Sequence, residues 1–206
     1  MQHLLKPINW RSFPRDFLII QVGFALFGLS IAILIQANLG TSPWVMLTVA
    51  LAQILGWTEG TLTVLIGFAV LVAALLMKER VGWGTLSNIL FIGPWLDLFL
   101  RYIPSVTRDL PIQLLMLFTS LIMMGMATAI YIGVNAGAGP RDSLMLAVER
   151  TTGATLRRAR ASIEICVFLA GWLLGGPVGL GTIVFALFIG PTVQWAFRLF
   201  KVNAHK

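Results

Sequence analysis

The chain has 206 residues, of which 58% are hydrophobic and 11% charged, and its net charge is +7. Its mean hydropathy is +0.88. A water-soluble domain carries about 25% charged residues, so a soluble globular protein and a disordered chain are excluded, and the single cysteine, Cys166, excludes a disulfide scaffold. An all-α integral membrane protein remains.

A basic, proline-bearing segment, 1–16, comes first, with no small-residue cleavage pattern behind it, and reads as a cytoplasmic segment. Apolar stretches fit to cross a bilayer, about 17–25 residues each, follow at 17–37, 61–77, 85–102, 112–134, 161–175 and 182–200. Two shorter segments, 44–55 and 143–152, are expected to be re-entrant or interfacial helices. A linker at 104–111 carries Pro104 and Pro111, and the tail at 201–206 is basic. His3 and His205 stand at the chain ends, where they read as solvated tail residues. Trp10, Trp44, Trp57, Trp83 and Trp195 mostly flank spans, as an aromatic belt does.

The punctuation recurs at a constant offset of 97 positions. Asn38, Gly40 and Pro43 match Asn135, Gly137 and Pro140; Gly82, Gly84 and Thr85 match Gly179, Gly181 and Thr182; Gly93-Pro94 matches Gly190-Pro191. The chain therefore reads as two tandem repeats, 17–103 and 112–200. If the short helix does not cross, each repeat has three spans and the two are inverted; if it crosses, there are eight spans and the repeats are parallel. With three spans, only Arg101 and Arg108 of the 15 Lys and Arg fall outside, giving cytoplasmic amino and carboxyl termini in a bacterial inner membrane. The eight-span alternative gives the same orientation. The charged Glu149-Arg150 pair in the second short segment favours three spans.

Paired interruptions at matching positions of two halves point to a transporter site. The candidate substrate-binding residues are Asn38, Gly40, Pro43 and Trp44 in the first turn, and Asn135, Gly137, Gly139, Pro140, Arg141 and Asp142 in the second. The glycines permit left-handed turns, the prolines suit first helical turns, and helix N-termini favour anionic groups. The competing reading is a pair of tight surface connections. The intramembrane carboxylates Glu164 and Asp97 are candidates for proton or ion coupling. Each also lies four residues from an arginine, Arg160 and Arg101 respectively, so a simple ion pair competes with that role. No catalytic set, metal-ligand cluster or cofactor fingerprint is present.

Asn-x-Gly-x-x-Pro-Trp at 38–44, Gly-Ala-Gly-Pro-Arg-Asp-Ser-Leu-Met at 137–145, and the Gly-x-Gly-Thr and Ile-Gly-Pro pairs resemble the bacterial YczE/YyaS family of small membrane proteins, with YitT-type membrane domains more distantly similar. The resemblance implies an inner-membrane location and favours transport. The leading expectation is a small-molecule transporter or exporter with its site between the repeats. An accessory scaffold for a partner enzyme or transporter is the alternative, and a passive channel the third. Expected partners are the lipid bilayer, an unidentified small molecule and a second copy in a homodimer. No cofactor, metal, nucleic acid or enzymatic activity is expected.

Overall fold

The helices begin where the sequence supplies a cap or a proline. In the computed structural model, which describes residues 10–79 and 81–202, they are α1 Phe13–Gln36, α2 Pro43–Leu55, α3 Glu59–Leu76, α4 Trp83–Leu100, α5 Leu110–Gly133, α6 Pro140–Thr152, α7 Leu156–Leu173 and α8 Leu180–Leu199. His3, Lys6, Arg80, His205 and Lys206 lie outside the described residues. Proline opens α2 and α6, where its missing N–H costs nothing. Thr58, Asp109 and Thr155 cap α3, α5 and α7 through side-chain oxygens that accept from Thr61, Ile112 and Arg158 N–H groups. Gly56 and Gly153 end the short helices at φ 68° and 69°.

The bounds of α5, α6 and α7 are those of α1, α2 and α3 moved on by 97 positions. Two sequence-expected boundaries shift. The segment expected at 143–152 starts earlier, at Pro140, because proline suits the first helical turn. The fifth span, expected at 161–175, is α7, which begins at Leu156 because Thr155 caps it; Arg157, Arg158 and Arg160 are thus inside the helix.

Four helices, α1, α3, α5 and α8, are long and apolar enough to cross a membrane. The two 24-residue helices, α1 and α5, pack along each other. Ile20, Phe24, Ile31 and Leu34 of α1 are buried against Leu117, Leu121 and Met124 of α5 and Ile92 and Leu96 of α4. At the outer faces Leu18, Val22, Leu115, Leu169 and Leu187 are exposed.

Helix directions follow from which ends meet. The rings of Phe13 and Trp83 lie 4.9 Å apart at the starts of α1 and α4, and Val106 N–H donates to the Gln36 carbonyl at 2.9 Å where both finish. α1 and α4 are therefore parallel. The Gln113 amide, near the start of α5, donates to the Ala37 carbonyl at 2.9 Å, so α5 runs the opposite way. α8 is parallel to α5, with Phe118 near Phe188 and Gly125 against Thr192. α3 starts beside the end of α4, where Gly60 N–H donates to Asp97 at 2.7 Å. It finishes beside α6, where Arg150 donates to the Met77 and Lys78 carbonyls and pairs with Glu79 at 3.4 Å. α2 packs on α7 and α6 on α3.

The glycine turns dock across the two halves. Gly84 N–H donates to the Ala136 carbonyl at 3.0 Å, and Thr85 Oγ1 donates to the Ala138 carbonyl at 2.6 Å. At the other end Gly181 N–H donates to the Leu39 carbonyl at 2.6 Å. Each Gly-x-Gly-Thr turn thus holds the Asn-x-Gly turn of the other half, backbone against backbone.

Candidate functional site

The starts of α2 and α6 approach each other and border a cavity of about 370 Å³. That volume falls in the range of small-molecule pockets, about 300–1,000 Å³. Residues from all eight helices line it. Trp44 and Arg141, which correspond at the offset of 97, both line it and face each other. The Arg141 guanidinium carbon lies 4.9 Å from the centroid of the Trp44 ring. A cation over an indole face is attracted by the ring quadrupole.

Every charged residue lining the cavity comes from the second half: Arg141, Asp142, Arg160 and Glu164. Their counterparts 97 positions earlier, Trp44, Val45, Thr63 and Gly67, also line it and carry no charge. One wall is therefore apolar and aromatic, with Phe27, Ile31 and Ile92, and the other is charged. Arg160 Nε donates to Glu164 Oε1 at 2.9 Å. The Tyr131 hydroxyl donates to Asp142 Oδ2 at 3.4 Å.

Of the sequence candidates, Pro43, Trp44, Gly139, Pro140, Arg141, Asp142 and Glu164 line this cavity. Asn38, Gly40, Asn135, Gly137 and Asp97 do not. Asn38 and Asn135 take left-handed φ of 52° and 57°. The Asn38 amide donates to Ser105 Oγ at 2.7 Å and to the Gln36 and Val106 carbonyls, tying α1 to the linker after α4. Gly40 and Gly137, at φ 96° and 133°, belong to the docked turns. Asp97 accepts from Thr58 Oγ1 at 2.6 Å and from Gly60 N–H, so it holds the start of α3 on α4. Glu164 has the ion pair that its spacing from Arg160 allows; among the described residues Asp97 makes none with Arg101.

One residue of the site, Tyr131, is not among the sequence candidates. Tyr131 was passed over inside an apolar span, although a phenol in hydrocarbon needs a partner. Trp44, a candidate from the first turn, is only 6% exposed, and its indole N–H has no acceptor among the described residues. Among those residues no group of three His, Cys, Asp or Glu side chains is placed to hold a metal ion.

Residues 14–198 match the family described as "Family of unknown function (DUF6198)". An uncharacterized protein of Haemophilus influenzae is 32% identical over 95% of this chain and 89% of its own length. The uncharacterized membrane protein YczE of Bacillus subtilis is 32% identical over 82% of this chain and 79% of its own. YyaS of the same organism, also uncharacterized, is 28% identical over 79% and 83%. No solved structure matches the chain.

Proposed function

This chain belongs to the DUF6198 family, with YczE and YyaS among its relatives, and from that footing we propose that it is a carrier, not an enzyme, that moves a small molecule across the membrane through the central cavity. The observation that carries the reading is the cavity itself, bounded by the starts of two short helices at corresponding positions. Discontinuous helices whose N-termini meet at the centre of two inverted repeats are a recurring carrier design.

The same reading makes the chain two inverted repeats of three crossings, with α2 and α6 re-entrant. Support comes from the parallel pairs α1/α4 and α5/α8 running in opposite directions, because four crossings per repeat would set α1 antiparallel to α4. The distribution of Lys and Arg supports an orientation with both termini in the cytoplasm.

An asymmetry between the halves supports alternating access. α3 and α4 are pressed together: a Cβ on Gly93 would lie 2.7 Å from Val64 Cγ2 and one on Gly67 3.1 Å from Ile89 Cγ1. The corresponding helices α7 and α8 are not so packed, and a Cβ on Gly190 would meet nothing within 4 Å. One gate is closed and its counterpart open, and in the proposed orientation the open one faces the cytoplasm. When α7 closes on α8 as α3 does on α4, position 157 comes up to Gln194 as Gly60 comes up to Asp97, with the Arg157 side chain, which Gly60 lacks, taking up the space beside Gly190. An R157C/Q194C pair in a Cys166→Ala background is therefore expected to form a disulfide under mild oxidation, read as two fragments that stay joined after cleavage in the loop between α7 and α8. Absence of the cross-link at every oxidant concentration would refute this closure.

A further inference from the structure

We propose that the cavity takes a zwitterionic small molecule with an apolar body, an apolar α-amino acid or a compound of the same charge pattern, with its carboxylate on Arg141 and its ammonium on Asp142. The proposal rests on the carrier reading and names the substrate class of that site.

The first argument is the charges that the protein leaves unmatched. Among the described residues, the ion pairs within 4.0 Å are Arg150 with Glu79 and Arg160 with Glu164. Arg160 and Glu164 neutralise each other inside the cavity. Arg141 and Asp142, adjacent in the first turn of α6, form no ion pair with each other or with a third group among the described residues. The Arg141 guanidinium has an aromatic face beneath it. Asp142 has the Tyr131 hydroxyl at the long distance of 3.4 Å and the backbone N–H of Gly139 beside it, two neutral donors that leave its charge uncancelled.

The second argument is net charge. Arg141, Asp142, Arg160 and Glu164 sum to zero. A ligand of net charge would leave an uncompensated charge once both gates close around it, which is costly. A zwitterion satisfies both open charges and leaves none. A guanidinium fork matches a carboxylate through paired N–H donors. The buried Trp44 indole N–H, which lacks an acceptor among the described residues, adds a donor beside it. Ser42 makes no side-chain cap on α2, so the free N–H groups of that first turn also favour an anionic group. The apolar body has a matching wall in Phe27, Ile31, Ile92 and Ile189.

The test is calorimetric titration of the purified full chain in lipid nanodiscs with L-phenylalanine and L-leucine, and with two analogues that each lack one charge, 3-phenylpropanoate and phenethylamine. The amino acids are expected to bind, and each one-charge analogue to bind at least about tenfold more weakly, the scale of one hydrogen bond to a charged group. Arg141→Gln should bring phenethylamine level with L-phenylalanine, and Asp142→Asn should do the same for 3-phenylpropanoate. A purely structural role for either residue would weaken all four compounds alike and would overturn the proposal. So would an analogue that binds the native chain as tightly as the amino acids, or the failure of both amino acids to bind. If the amino acids bind in this pattern but do not cross proteoliposome membranes, the substrate class stands and the carrier reading falls. If a one-charge compound is carried and the amino acids are not bound, the carrier reading stands and the substrate class falls.

Discussion

Gly40→Ala is expected to cost about 2–5 kcal/mol of stability, the sum of roughly 1–2 for a side chain in the left-handed region and 1–3 for overpacking. Gly40 sits at φ 96°. A Cβ there would collide with the Gly179 backbone N–H and lie 2.7 Å from Thr182 Oγ1. The turn cannot withdraw, because Gly181 N–H is bonded to the Leu39 carbonyl and Thr41 N–H to the Pro177 carbonyl. Two controls separate the contributions. Gly56 has φ 68° and nothing within 4 Å of a Cβ, so Gly56→Ala carries the backbone cost alone. In Gly181→Ala the new Cβ would lie 2.7 Å from the Gly40 carbonyl oxygen, at a position with no left-handed φ, so it carries the packing cost alone. Denaturant titration in mixed micelles should rank Gly40→Ala lowest. Equal midpoints for Gly40→Ala and Gly56→Ala would mean that the turns are not docked.

Gly190→Ala should abolish turnover while leaving the protein as stable or more so. In the present state a Cβ at Gly190 meets nothing, and alanine inside a helix is favoured over glycine by about 0.5–1 kcal/mol. In the closed state of α7 and α8 the same Cβ would meet the start of α7, as a Cβ at Gly93 meets Gly60. The cost therefore falls on one state only, and about 3 kcal/mol would hold a two-state equilibrium more than a hundredfold to the open side. Gly93→Ala should do the reverse and also lower stability, because that contact exists already. The measurement is thermal melting in parallel with the α7–α8 distance distribution, read by spin labels at positions 157 and 194 in a Cys166→Ala chain. A Gly190→Ala variant whose α7–α8 distance distribution still includes the closed population would contradict this.

Most of the architecture was legible because it depends on punctuation. Pro43 and Pro140, read as first-turn residues, open α2 and α6 by a local rule that survives in any tertiary setting, whereas the Thr155 cap, and with it the start of α7, was not read. The site was legible in part. Arg141 and Asp142 stood out as charges in a duplicated turn whose first copy has Trp44 and Val45. Where the asparagines go was not legible: a left-handed Asn38 turns its amide toward the α4–α5 linker, a contact 67 residues distant in sequence. Asp97 was ambiguous for the same reason, since its partners Thr58 and Gly60 belong to another helix. The pairing of Gly-x-Gly-Thr with the opposite Asn-x-Gly turn was also hidden, because glycine carries no side chain from which a partner can be inferred.

The central claim is that the cavity between α2 and α6 opens to each side of the membrane in turn. The most direct measurement is labelling of Thr128→Cys, a cavity-lining position on α5, in a Cys166→Ala chain oriented in proteoliposomes, with a membrane-impermeant thiol reagent added to one face at a time. Alternating access predicts labelling from both faces in the Gly190 parent and labelling from the cytoplasmic face alone in Gly190→Ala. Protection of Thr128→Cys from both faces in the parent would contradict the account and mark the cavity as a sealed feature of the fold.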